Sequence, residues 1–168
     1  MTRLLGIDLG ERRIGLAVAD DDGSAARPHS TLRRGRDLDA DAAALGAVVG
    51  VLAIDALVVG LPLEASGDEG PMASQARAWG EAIRERLDLP VSFRDERLSS
   101  HLAEARLGPM KRGRSGGPPS KTQRDTYRAR VDREAAAIIL QDELDTRAGG
   151  RSSLPRPQFP QDPQESNR

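Results

Sequence analysis

The order of hydrophobic periods along the chain predicts an α/β protein, a mixed five-stranded sheet with helices on both faces. Three observations carry this. Two short apolar runs, LLGIDLG and RRIGLAVAD, adjoin across Gly10 and the charged triplet Glu11-Arg12-Arg13, the pattern of a hairpin. From Asp37 onward, segments with a three- to four-residue period alternate with short apolar runs, as parallel strands joined by helical crossovers require. The 168 residues, 38% of them hydrophobic, fit one domain with a sizeable core.

The elements follow in order. After the hairpin comes a polar loop, DDDGSAARP, and HSTLRR then reads as a third strand, so the first three strands pair antiparallel. Asp37 is the expected N-cap of a helix marked by Leu38, Ala42, Leu45, Val48, Val49 and Leu52. DALVVGLP is a buried strand stopped by Gly60 and Pro62. A second helix is expected over Met72 to Leu87, with Ala76, Trp79, Ile83 and Leu87 on one face, which makes Trp79 a core residue. Pro90 to Arg94 forms the fifth strand and ends in Asp95-Glu96-Arg97. A short helix over Ser99 to Leu107 has Ser99 or Ser100 as its cap. Residues 108–124 read as a Gly- and Pro-rich basic loop, and a last helix as Arg124 to Arg147. The domain is expected to span 1–148, with a disordered polar, Pro-rich tail over 149–168.

Composition removes several classes of function. The absence of cysteine excludes disulfides, thiolate metal sites and a cysteine nucleophile. His29 and His101 have no ligand spacing and read as surface residues. No signal-peptide pattern opens the chain and no apolar run is long enough to span a bilayer, so a soluble, cytoplasmic protein with no membrane partner is expected. A G-x-x-x-x-G-K-[ST] loop is also missing.

Three acids stand in apolar surroundings. Asp8 leaves its strand on the face opposite Ile7 and Leu9, where a carboxylate is costly without a partner; Arg12 or Arg13 could supply one. Glu96 follows the fifth strand. Asp132, in ARVDREAAAIIL, aligns with Ala135, Ala136 and Ile139 on the inward side of the last helix, with Arg128 one turn earlier as a possible partner. If the first and fifth strands lie near each other, Asp8 and Glu96 converge and Asp132 can be laid across them. Clustered carboxylates repel, and Mg²⁺ or Mn²⁺, hard ions that prefer carboxylate oxygen, resolve the repulsion. Two such ions clamp the attacking and leaving oxygens of a phosphodiester. In this reading Asp8, Glu96 and Asp132 form a catalytic metal site with Asp8 at its centre; ion pairs for Asp8 and Asp132 and a solvated turn at Asp95-Glu96-Arg97 are the alternatives.

The charge distribution supports the same chemistry. Net charge is only −1, yet residues 106–133 carry nine bases against two acids, Asp125 and Asp132. Bases on a Gly-rich loop suit phosphate-backbone contacts, and Arg124, Arg128 and Arg130 are the candidates for binding nucleic acid. Tyr127 is the single aromatic residue nearby, which gives base stacking little support.

GIDLGERRIGLAVAD, VVGLPLEASG, FRDERLSS and RVDREAAAIILQDEL resemble, in order, four blocks of the YqgF/RuvX family of Holliday-junction-resolvase-like proteins. The resemblance runs from about Leu4 to Leu144. It implies an RNase H-like fold, an acidic triad on Asp8, Glu96 and Asp132, and metal-dependent phosphodiester hydrolysis. It also implies a role in maturing the 5′ end of pre-16S ribosomal RNA in the cytoplasm. The partner is expected to be structured RNA of that kind or branched DNA, and the protein a monomer or weak homodimer. A junction resolvase and a non-catalytic nucleic-acid-binding module are the alternatives. Three positions depart from the family pattern: Glu64 where Asn is common, Arg130 where Lys is common, and DERLSS where a Thr is common. GIDLG followed by IGLAVAD also resembles the first phosphate motif of the actin and sugar-kinase ATPases. That fold needs two related domains, for which this chain is too short.

Overall fold

The computed structural model describes residues 1–151. Nine elements follow one another: β1 (Arg3–Leu9), β2 (Arg13–Asp20), β3 (Arg27–Arg33), α1 (Leu38–Leu52), β4 (Ala56–Leu61), α2 (Pro71–Leu87), β5 (Val91–Asp95), α3 (Ser99–Leu107) and α4 (Lys121–Arg151). The sheet order is β3-β2-β1-β4-β5. β1-β2 and β2-β3 are antiparallel, and β1-β4 and β4-β5 are parallel. This is the mixed sheet that the hydrophobic periods predict. β4 therefore separates β1 from β5, so the acids at the ends of those strands must meet across β4 rather than side by side.

Alternation of side chains divides the core in two. On one face Leu5, Ile7, Leu16, Leu57 and Val59 pack against Leu45 of α1 and Trp79 and Ile83 of α2. On the other, Leu4, Ala17, Ala19 and Val58 pack against Ala136, Ala137, Ile139 and Leu140 of α4. The second interface is built largely from small residues, so α4 lies close to the sheet. A Cβ on Gly6 would fall 2.7 Å from both the Ala136 carbonyl oxygen and Leu140 Cβ. Among the described residues no helix is long and apolar enough to cross a membrane.

Helix ends obey local chemistry, with four differences from the sequence reading. Asp37 caps α1, accepting from the Ala40 N–H at 2.8 Å. α2 begins at Pro71 rather than Met72, since proline suits the first helical position and Gly70 the cap. α4 starts three residues before Arg124, because Ser120 and Gln123 form a reciprocal capping box: the Gln123 N–H donates to Ser120 Oγ at 3.2 Å, and the Ser120 N–H to Gln123 Oε1 at 2.7 Å. It continues through Gly149 and Gly150 to Arg151, past the predicted end at Arg147; glycine weakens a helix without forbidding it. Neither Ser99 nor Ser100 caps α3. Leu98 holds that position without a side-chain bond, and the Ser99 hydroxyl donates instead to the Glu96 carbonyl at 2.9 Å. Of the tail expected over 149–168, residues 152–168 lie outside the described residues.

Candidate active site

The site forms where the parallel strands end. Asp8 stands near the end of β1, opposite Gly15 of β2 in the register, on the face that α4 covers. Glu96 follows β5. Its backbone is fixed at both sides: its N–H donates to the Leu61 carbonyl at 3.0 Å, and its own carbonyl accepts from the Ser99 N–H at 3.0 Å and from the Ser99 hydroxyl. The intervening strand would block the two acids from meeting if it carried a side chain there. At that position it has Gly60, where a Cβ would overlap Glu96 Oε2 and lie 2.6 Å from Ile139 Cδ1. Glycine is needed here for space, not for its backbone angles.

Asp8 and Glu96 share a side-chain hydrogen bond, which two carboxyl groups can make only if one keeps a proton. Burial raises the pKa of both. It takes Glu96 to about 9, with the Asp8 charge and the shared bond adding to the rise. Asp8 rises to about 6 by burial, moderated by the bond to Glu96 and pushed further by the charge of Asp132. Glu96 Oε2 is a buried oxygen with no hydrogen-bond donor among the described residues. Such an atom is rare in a folded protein and calls for a ligand or a chemical role.

Asp132 reaches the same region from α4. A Cβ on Gly15 would overlap the Asp132 carbonyl oxygen, so the helix rests directly on the strand beside Asp8. Its carboxylate is not joined to the other two. Arg13, at the start of β2, pairs with it through Nε to Oδ2 at 2.6 Å. Among the described residues no three acidic, histidine or cysteine side chains stand where they could hold one ion together. The donor set still suits a hard divalent cation: Asp8 and Glu96 present carboxylate oxygens, one of them buried without a donor. Asp132 stands close enough for its charge to act on Asp8.

Two partner expectations change. Asp8 pairs with Glu96 rather than with Arg12 or Arg13, and Asp132 pairs with Arg13 rather than with Arg128. Local spacing offered Arg128, whereas Arg13 comes from a strand 119 residues earlier. Arg124, Arg128 and Arg130 are all exposed. Arg124 and Arg128 lie two turns and one turn before Asp132 on the same side of α4. Arg130 is turned about 160° away from Asp132 round the helix, beside Lys111 and Tyr127. Glu64 does not crowd the acids; its carboxylate lies against Gly70 at the start of α2.

The surroundings differ along α4. The cations lie on the N-terminal side of Asp132. On the C-terminal side an open groove of about 670 Å³ is walled by Leu63, Leu98, Leu102, Ile138 and Ile139. Leu98 and Leu102 are 64% and 50% exposed in it. Sequence reasoning missed Arg13 as the partner of Asp132 and missed the spacing role of Gly15 and Gly60. Their signal was available: each glycine interrupts a buried apolar run at a position facing an acid.

Comparison with known proteins gives the chain a family and a fold. The family model described as RuvX, Holliday junction resolvase, matches residues 2–146. A relative from Anaeromyxobacter sp. (strain Fw109-5), named as a pre-16S rRNA nuclease, is 45% identical over 145 residues, covering 86% of this chain and 98% of its own. Among solved structures, Thermus thermophilus RuvC matches with a TM-score of 0.50 and 17% identity, over 88% of this chain and 97% of that one. The fowlpox virus Holliday junction resolvase matches with a TM-score of 0.50 and 10% identity, over 86% and 99%. At such identities these structures speak to the fold, which is RNase H-like. The family match extends over nearly all of the described residues, and a near-full-length relative shares almost half of them: the chain belongs to the RuvX family.

Proposed function

We propose that the protein is a nuclease that hydrolyses phosphodiester bonds at Asp8, Glu96 and Asp132 with a divalent cation, and that it acts in the cytoplasm on the 5′ end of precursor 16S ribosomal RNA. The observation that carries the reading is the Asp8–Glu96 pair, two carboxyl groups brought together over Gly60 with a buried oxygen left without a donor. A protein that only bound nucleic acid would gain nothing from holding acids this way. The substrate rests on the pre-16S rRNA nuclease name of the 45%-identical relative.

Asp8 and Glu96 would hold Mg²⁺ or Mn²⁺, with Asp132 the third carboxylate at hand. When bound there, such an ion acidifies a water and neutralises charge developing on the phosphate. The chain's own residues do the rest. Glu96, fixed through both its backbone groups, can take a proton from or return one to a water beside Asp8. Arg124 and Arg128 hold backbone phosphates on one side of the site. On the other, the leucine- and isoleucine-lined groove offers the substrate no cationic wall beyond Arg97, which is already paired with Asp95 at 2.8 Å. A strand bound across the site is thus oriented by where cations are and are not.

The test is cleavage of a pre-16S 5′-leader RNA, and of a four-way DNA junction, in Mg²⁺, Mn²⁺ or EDTA. The RNA should be cut only with metal, and Asp8→Asn should lower the rate at least about 100-fold while retaining RNA binding. The family description favours the junction as a second reading. Cutting the junction alone would establish it, and would call for a dimer, because that substrate is two-fold. Binding of either without metal-dependent cutting would reduce the protein to a binding module.

A further inference from the structure

We propose that Arg13 is an exchangeable counter-ion: it holds Asp132 while the site is without metal, and passes to a substrate phosphate when a divalent cation takes the Asp132 carboxylate. The proposal rests on the reading of Asp8, Glu96 and Asp132 as the catalytic carboxylates. It makes Arg13 a positioning residue for the metal and a binding residue for the substrate, roles the sequence did not indicate.

Four observations lead to it. The 2.6 Å bond from Arg13 Nε commits Asp132 Oδ2 to a guanidinium, although Asp132 stands close enough for its charge to act on Asp8. The side chains of Arg13 and Asp132 are 26% and 21% exposed, so the pair is open to water, and ion pairs of that kind are readily exchanged. The backbone beneath Arg13 is held: its carbonyl accepts from the Gly10 N–H at 2.9 Å, and it lies in register with Arg33 of β3, so the side chain alone has to move. The exposed guanidinium-bearing residues Arg12 and Arg33 flank it. Their like charges favour an anion beside Arg13. When Asp132 turns to a metal, the phosphate of a bound strand is the anion that chemistry supplies, and guanidinium suits phosphate through its planar pair of donors.

The test measures Mn²⁺ binding by titration calorimetry and electron paramagnetic resonance, without nucleic acid, on the full chain. Arg13→Gln should bind Mn²⁺ about five- to tenfold more tightly than the unaltered protein. The gain should vanish in Arg13→Gln/Asp132→Asn, since it acts through Asp132. Arg13→Lys, which keeps the charge, should stay within about twofold of the unaltered protein. In cleavage assays at saturating Mn²⁺, Arg13→Gln should raise KM for the nucleic acid several-fold and change kcat less. Unchanged or weaker Mn²⁺ binding by Arg13→Gln overturns the proposal. Asp8→Asn separates the two levels. If it weakens Mn²⁺ binding while Arg13→Gln does nothing, the counter-ion role alone falls. If Asp8→Asn leaves binding unchanged, or no protein binds Mn²⁺, the carboxylate reading falls and takes this proposal with it.

Discussion

Two acids on opposite faces of the sheet are treated in opposite ways. Under α1 and α2, Asp41 is 1% exposed and fully served: Arg34 Nε donates at 2.9 Å, the Gly35 N–H at 2.7 Å and Trp79 Nε1 at 3.0 Å. Under α4, Glu96 keeps a buried oxygen with no donor among the described residues and faces the Asp8 carboxyl, whose charge raises its pKa. A buried carboxylate with its donors in place ties elements together; one without them raises the energy of the folded state. The side-chain sizes follow the same division. Leucine, isoleucine and tryptophan fill the first face, whereas alanines make up much of the second, with Gly6, Gly15 and Gly60 at its closest approaches. One face holds the fold, and the other spends packing to bring α4 and its Asp132 down onto the acids.

If that contrast is right, the largest stability loss comes from the satisfied acid, far from any chemistry. Asp41→Ala leaves Arg34 without its partner and the Trp79 N–H without an acceptor, and loosens the junction of α1, α2 and the segment after β3. Breaking a buried pair from one side costs about 3–5 kcal/mol. Urea unfolding should show that loss, while the cleavage rate per folded molecule stays nearly unchanged. A loss under about 1 kcal/mol would mean that Asp41 is not what joins those elements.

The next largest effect tests the close approach of α4. In Gly15→Ala the new methyl group meets the Asp132 carbonyl, which belongs to helix backbone and cannot turn aside. Overpacking of this kind costs about 1–3 kcal/mol, and shifting α4 should also lower the cleavage rate. The same substitution at Gly50, late in α1, has the opposite sign. Among the described residues nothing lies within 4 Å of a Cβ there, so alanine should stabilise the helix by up to about 1 kcal/mol. Thermal unfolding of both variants reads the pair directly.

These glycines mark the limit of what the sequence disclosed. Apolar periods sufficed for the strands, the helices and the antiparallel start, because they follow from which side of an element faces the core. Asp8 and Asp132 stood out as acids placed against that pattern, and the small residues after Asp132 signalled a close helix. The position of β4 between β1 and β5 is a matter of crossover topology, which no local pattern encodes. For the same reason Arg128, one turn away, was a more obvious partner for Asp132 than Arg13. Asp41 carries no signal in the sequence, since an acid in the first turn of a helix is ordinary, and its burial depends on Trp79 arriving from another helix.

The last effect is the most direct probe of the unsatisfied acid. Glu96 titrates at about 9 in the folded protein against an ordinary 4.5, so between those values the folded chain holds a proton that the unfolded chain has released. Wherever the folded state binds more protons, stability falls as pH rises. The metal-free protein should therefore lose stability progressively from about pH 4.5 toward pH 9, with Asp8 contributing over the lower part, up to about 6. Glu96→Gln replaces the protonated acid with a group of nearly the same shape, whose amide can donate to Asp8 at every pH. It should be more stable than the unaltered protein at pH 8, with little difference at pH 4, and it should not cleave. Melting temperatures of the two proteins in EDTA across that range give the comparison. Parallel curves would mean that Glu96 is not held protonated by its surroundings. A gap that widens with pH would show that the fold gives up stability at the residue we propose for hydrolysis.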